Sequence, residues 1–184
     1  MSRVRAVVIG VGNDFRSDDG IGPAVATAIE KLGLPGVSVT LCDGEPAGLL
    51  DVWADVELAI VVDAVLCEPC TPGRIWRTTV DALRGVTRAA SSHALGIPDA
   101  LPLGRALGRV PDELVVIAVE AACLDLGVGM SEPVAAAVPR VVDAVLTELA
   151  RLGITGQVGA ARPPAQQSDP ARDCGTGLRP AGNP

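Results

Sequence analysis

Residues 4–23 read V-R-A-V-V-I-G-V-G-N-D-F-R-S-D-D-G-I-G-P, a short apolar run that empties into a glycine loop and then into a helix-forming segment. A strand with so few polar residues is buried on both faces, as in a parallel sheet, and the loops at the C-terminal ends of such strands are where this architecture holds ligands. The loop itself narrows the ligand. A dinucleotide fingerprint needs a glycine three residues after its second, and here Gly10 and Gly12 fit but Phe15 stands in the third place. Asp14, Asp18 and Asp19 would repel a phosphate at close range, and the absence of Lys from the loop excludes a P-loop. The loop is built for something cationic.

Hydrophobic periodicity extends the pattern along the chain. It predicts strands over 4–9, 37–42, 58–62, 73–80 and 114–119, and helices over 23–32, 47–56, 99–107 and 139–152. Val25, Ala28, Ile29 and Leu32 share one face of the first helix, and Val141, Val145 and Leu149 one face of the last. The fourth strand alternates Arg74, Arg77 and Thr79 with apolar residues, as edge strands do. Strands alternating with helices give the α/β class, a three-layer α/β/α sandwich around a mostly parallel central sheet of about five strands. Residues 1–153 form that domain. Residues 154–184, rich in Gly, Pro, Ala and Gln with no apolar period, are expected to be a disordered tail.

Charge and cysteine usage exclude other classes. The formal net charge is −7, and the arginines of the tail outnumber its aspartates, so the folded part is more acidic still. Nucleic-acid affinity is carried largely by Lys and Arg on phosphates, so a polyanionic partner is not expected. The apolar run after Arg3 and Arg5 is too short for a signal peptide, and no stretch is long enough to span a bilayer. A monomeric cytoplasmic protein with no membrane partner is expected. The five cysteines are odd in number and read as reduced, mostly buried thiols. Cys67 and Cys70 form a single C-x-x-C, best read as two loop thiols.

The polar residues that follow the strands carry the functional signal. Asn13, Asp18 and Asp19 follow the first, Asp43 and Glu45 the second, Asp63 the third and Glu120 the last. Parallel strands with right-handed crossovers bring those ends to one edge, so carboxylates converge there. The sole histidine, His93, sits in S-S-H-A-L-G-I, a loop that returns toward the same edge. Two aspartates and an imidazole suit a divalent cation such as Zn, Ni or Mn, although each of these residues also has an ordinary structural reading as a cap, a strand end or a core imidazole. Neither H-E-x-x-H nor G-x-S-x-G occurs, and a cysteine nucleophile at Cys42 or Cys67 is left open. Phe15, the only Phe, reads first as an apolar anchor holding the loop down and second as a contact for a partner.

The segments G-V-G-N-D-F-R-S-D-D-G-I-G-P at 10–23, L-C-D-G-E-P-A-G at 41–48, V-V-D-A-V at 61–65 and S-S-H-A-L-G-I at 91–97 fall in order along the chain. Together they resemble the nickel-iron hydrogenase maturation endopeptidases, over roughly residues 4–150. The resemblance implies a protease that clips a short C-terminal extension from the hydrogenase large-subunit precursor once nickel has been inserted. The metal positions of that family fall here on Asp19, Asp63 and His93, which the resemblance also makes the catalytic set; the adjacent Asp18 leaves open which carboxylate of the pair points inward. Asn13 and Asp43 would position the substrate. Nickel would arrive with the precursor, and other divalent cations would fit the same donors. The rivals are a non-catalytic doubly wound module holding a nucleotide or flavin, and a peptidase of the same fold acting on another precursor.

Overall fold

The structure is a computed structural model that describes residues 4–79 and 96–154. His93, Cys174 and the tail from residue 155 onward lie outside the described residues. Five strands, β1 (Ala6–Val11), β2 (Val37–Cys42), β3 (Leu58–Val65), β4 (Ile75–Thr79) and β5 (Glu113–Glu120), form one sheet in the order β2-β1-β3-β5-β4. All pairings are parallel except β4 with β5, so the expected edge strand is the one that reverses.

Burial follows from position in that order. β1 is buried at all six positions, whereas β2, at the opposite edge from β4, is only half-buried. Alternate residues of β1, β3 and β5 feed two separate cores. On one face Val8, Ile60 and Ile117 pack with α1 (Ile21–Glu30) and α5 (Val138–Arg151). On the other Ile9, Val61 and Val116 pack with α2 (Pro46–Trp53) and α3 (Gly96–Leu107). Helices on both faces of a mostly parallel sheet make the three-layer sandwich that the alternating pattern predicts. A single-turn α4 (Glu132–Ala135) precedes α5.

Several expectations shift. β1 begins and ends two residues later than its apolar run suggests, because Val4 is exposed while Val11 still pairs with Cys42. β3 continues to Val65, so Asp63 stands inside the strand rather than after it. Leu32, assigned to the buried face of the first helix, lies beyond the end of α1 and is exposed. None of the four described cysteines is buried: Cys70 is exposed and Cys42, Cys67 and Cys123 are intermediate. Cys70 donates its S–H to the Ala121 carbonyl oxygen at 3.2 Å, an ordinary loop contact. Among the described residues no helix is long and apolar enough to cross a membrane.

Candidate active site

The chain leaves β1 toward β2 on one side, while β3 lies on the other, so the sheet's topological switch point falls between β1 and β3. In open α/β sheets ligands bind in the crevice at that point, outside the carboxyl ends of the strands. Asp19 comes to the crevice from a single 3₁₀ turn (Ser17–Gly20) after β1, and Asp63 from the end of β3.

The turn is forced into place by close backbone contact. Gly10 lies so near α1 that a Cβ on it would stand 2.5 Å from the Gly22 carbonyl oxygen and 2.8 Å from the Ala26 Cβ. Gly12, at φ +133°, takes a backbone conformation that favours glycine and passes against the Asp19 carbonyl. The close helix–strand contact that a dinucleotide fingerprint obtains from its third glycine is therefore supplied by Gly22, within α1, and Phe15 has no such role. In the sequence that signal was the second glycine pair, G-I-G, at 20–22.

Asp18 and Asp19 are both fully buried, and the structure separates them. Asp18 accepts hydrogen bonds from the Ala122, Cys123 and Ser131 N–H groups at 2.8, 3.3 and 2.6 Å and from the Ser131 hydroxyl at 3.0 Å. It is the pin that ties the first loop to the segment after β5. Asp19 accepts the Asn13 N–H at 3.0 Å and is the one that shares an electrostatic field with Asp63.

Asp63 is 3% exposed, and its Oδ1 accepts the Ala64 N–H at 2.8 Å. Burial pushes its pKa up to about 7; the Ala64 N–H offsets part of this and the Asp19 charge adds to it. A carboxyl group that changes protonation near neutral pH beside a second buried carboxylate can trade its proton for a cation.

The expected convergence of acids is only partly met. Glu120 is buried but turned toward the β3–β4 connection, where it accepts the Trp76 Nε1–H at 2.8 Å and the Thr71 N–H. Asp43 is exposed and accepts the Glu45 N–H at 3.1 Å, shaping the turn into α2. It nonetheless shares with Asn13 a cleft of about 300 Å³ beside the crevice, lined also by Phe15, Pro23 and Leu41. Phe15 is 69% exposed, which overturns its reading as a buried anchor. His93 lies outside the described residues, and among those described no group of three or more His, Cys, Asp or Glu side chains is placed to hold a metal.

The profile of the hydrogenase maturation protease family matches residues 7–148. The hydrogenase 2 maturation protease of Escherichia coli (strain K12) is 29% identical over 154 residues, covering 82% of this chain and 94% of the relative. The hydrogenase expression/formation protein HupD of Rhizobium leguminosarum bv. viciae is 28% identical over 173 residues, covering 90% and 85%. The solved hydrogenase maturating endopeptidase HybD from E. coli superposes with a TM-score of 0.69 at 28% identity, covering 81% of this chain and 94% of that one. With the acid crevice at the switch point and a match that runs from β1 into the last helix, the chain belongs to the hydrogenase maturation protease family.

Proposed function

We propose that this endopeptidase removes the C-terminal extension of a nickel-iron hydrogenase large-subunit precursor after nickel insertion, with Asp19, Asp63 and His93 receiving the nickel that the precursor carries. The observation that supports this most is the pair of buried carboxylates at the β1–β3 crevice, one of them held near half-protonation at neutral pH. Nickel belongs to the substrate, not to the resting enzyme. Two carboxylates and one imidazole leave coordination positions open, so a cation already held by the precursor can be shared with the enzyme.

On this reading Asp63 gives up its proton as the cation approaches, and the gain in Coulomb attraction replaces the repulsion from Asp19. A shared cation polarises a nearby carbonyl or lowers the pKa of a bound water to about 7. Asn13 holds Asp19 through its backbone N–H, and Asp43 shapes the neighbouring cleft wall. Selectivity for loaded over empty precursor then follows from positioning the scissile bond by the metal, since positioning supplies much of a catalytic effect. Other divalent cations would compete for the same donors. The enzyme works as a cytoplasmic monomer in this account.

The test is to incubate purified enzyme with nickel-loaded and nickel-free precursor and follow the mass of the large subunit. Only the loaded form should shorten; equal cleavage of both contradicts the reading.

A further inference from the structure

The first loop and the segment after β5 are zipped together by backbone hydrogen bonds: Ser17 N–H to Gly127 O and Gly127 N–H to Phe15 O, both at 2.9 Å. Arg16 Nε–H reaches the Leu124 carbonyl at 3.2 Å, and the Ser17 hydroxyl the Asp125 carbonyl at 3.1 Å. With Asp18 pinned to the same segment, this ridge is tied down from Phe15 through the first half of the 3₁₀ turn. What it holds outward is apolar. Phe15 is 69% exposed, Leu126 86% and Val128 87%, and across the adjoining cleft Leu41 is 58% exposed.

A well-anchored ridge that displays three large apolar side chains to water is costly for solubility and marks an interaction surface. Its charge is mostly negative: Asp14, Asp43 and Asp125 are exposed around it, against the single half-buried cation Arg16, whose Nε–H is turned onto the Leu124 carbonyl. The surface is also continuous with the crevice, because the residues lining the cleft include Gly12 and Asn13, and Asn13 holds Asp19.

We propose that Phe15, Leu126 and Val128, with the cleft between Phe15 and Leu41, form the docking surface for an extended precursor segment that carries apolar side chains between basic ones. The proposal rests on the reading of the protein as a precursor-cleaving peptidase and adds what it recognises besides the metal. The apolar residues provide burial, and the acid rim favours Lys or Arg on either side while disfavouring acidic segments. The ridge would guide the segment toward Asp19 and Asp63 and so set KM more than kcat.

The test compares wild-type enzyme with Phe15→Ser and with a Leu126→Ser/Val128→Ser variant, using nickel-loaded precursor. These side chains are exposed, so the thermal midpoints should stay within a few degrees of wild type. Each variant should raise KM about tenfold, the worth of one apolar side chain left unburied, with kcat within about threefold. An Asp14→Lys/Asp125→Lys variant should also raise KM, and that effect should shrink as salt is added. Unchanged KM in all three, with the wild type active, overturns the docking surface and leaves the peptidase reading intact. Should wild type fail to cleave loaded precursor, the peptidase reading itself fails, and calorimetric binding of the uncleaved precursor then decides the surface: weaker binding by the variants supports it and equal binding overturns it. Wild-type self-association that the Ser variants lose would overturn the precursor as occupant.

Discussion

Two buried acidic regions of this protein have opposite surroundings. On the α5 side, Glu148 is 5% exposed and receives Arg77 Nε–H at 2.6 Å and Arg151 Nη1–H at 2.6 Å. In the crevice, Asp63 is as deeply buried but, among the described residues, has the carboxylate of Asp19 for a neighbour and the Ala64 N–H for a donor. Burial opposes the charge of Glu148, yet the two guanidinium groups outweigh it and hold its pKa below the usual value. Burial likewise opposes the charge of Asp63, and there the neighbours fail to offset it. Asp18, one residue from Asp19 and enclosed by four donors, belongs with Glu148. The proposed function gives the contrast a reason: Asp18 and Glu148 are held by donors, whereas Asp63 would be completed by the precursor's cation.

The largest effect that could break this contrast is on turnover. Asp63→Asn and Asp19→Asn should each lower the processing rate by about 10³-fold or more, as expected when a group that meets the metal and the reacting bond is neutralised. Asp63→Asn should at the same time raise stability at pH 8 by about 2–4 kcal/mol, because it removes a buried charge that burial disfavours up to about pH 7. A thermal melt beside a cleavage assay on the same preparation checks both; a variant that loses activity by unfolding would remove the contrast.

Next in size is Asp18→Ala, which strips the acceptor from four donors and should destabilise the domain by about 3 kcal/mol or more. Chemical denaturation measures it. Glu148→Gln should cost less, about 1–2 kcal/mol, since Arg77 and Arg151 remain partly hydrated. The two acids should also respond to pH with opposite signs. Glu148 contributes stability that is fully present above its unfolded pKa and is lost as pH falls below that through its lower folded pKa. The folded chain holds a proton on Asp63 that the unfolded chain releases above about pH 4, so its contribution declines between there and about pH 7. Comparing the pH dependence of denaturation midpoints for the two variants against wild type separates the slopes. The smallest effect is expected from Cys67→Ser/Cys70→Ser, which should leave cleavage within about twofold, as two loop thiols would.

The strands and layers were legible because apolar runs such as 58–62 and 114–119 have no polar face and so must lie inside a covered sheet, whereas the order β2-β1-β3-β5-β4 was not. That Asp19 and Asp63 approach one another was legible because both stand near the C-terminal ends of neighbouring parallel strands, although a cap or a strand end would also account for either acid alone. Their environments were not. Whether Asp18 or Asp19 faces the crevice is decided by Ala122, Cys123 and Ser131, more than a hundred residues away, and no local period encodes that pairing. Glu148 escaped notice because a buried acid on the apolar side of a helix makes sense only once Arg77 of the edge strand lies against it. Phe15 was misjudged for a similar reason. An aromatic side chain in a tight loop usually packs inward, but here the backbone contacts of the loop with Gly127 leave it facing water.

On the proposed function, the crevice keeps Asp63 poised near neutrality for a cation to complete. The most direct measurement is a carbon-13 NMR titration of the Asp63 carboxyl in the intact protein, with and without a divalent cation. The expected result is a midpoint of about 7 that falls when the cation is added. A midpoint near 4 that the cation does not move would contradict it.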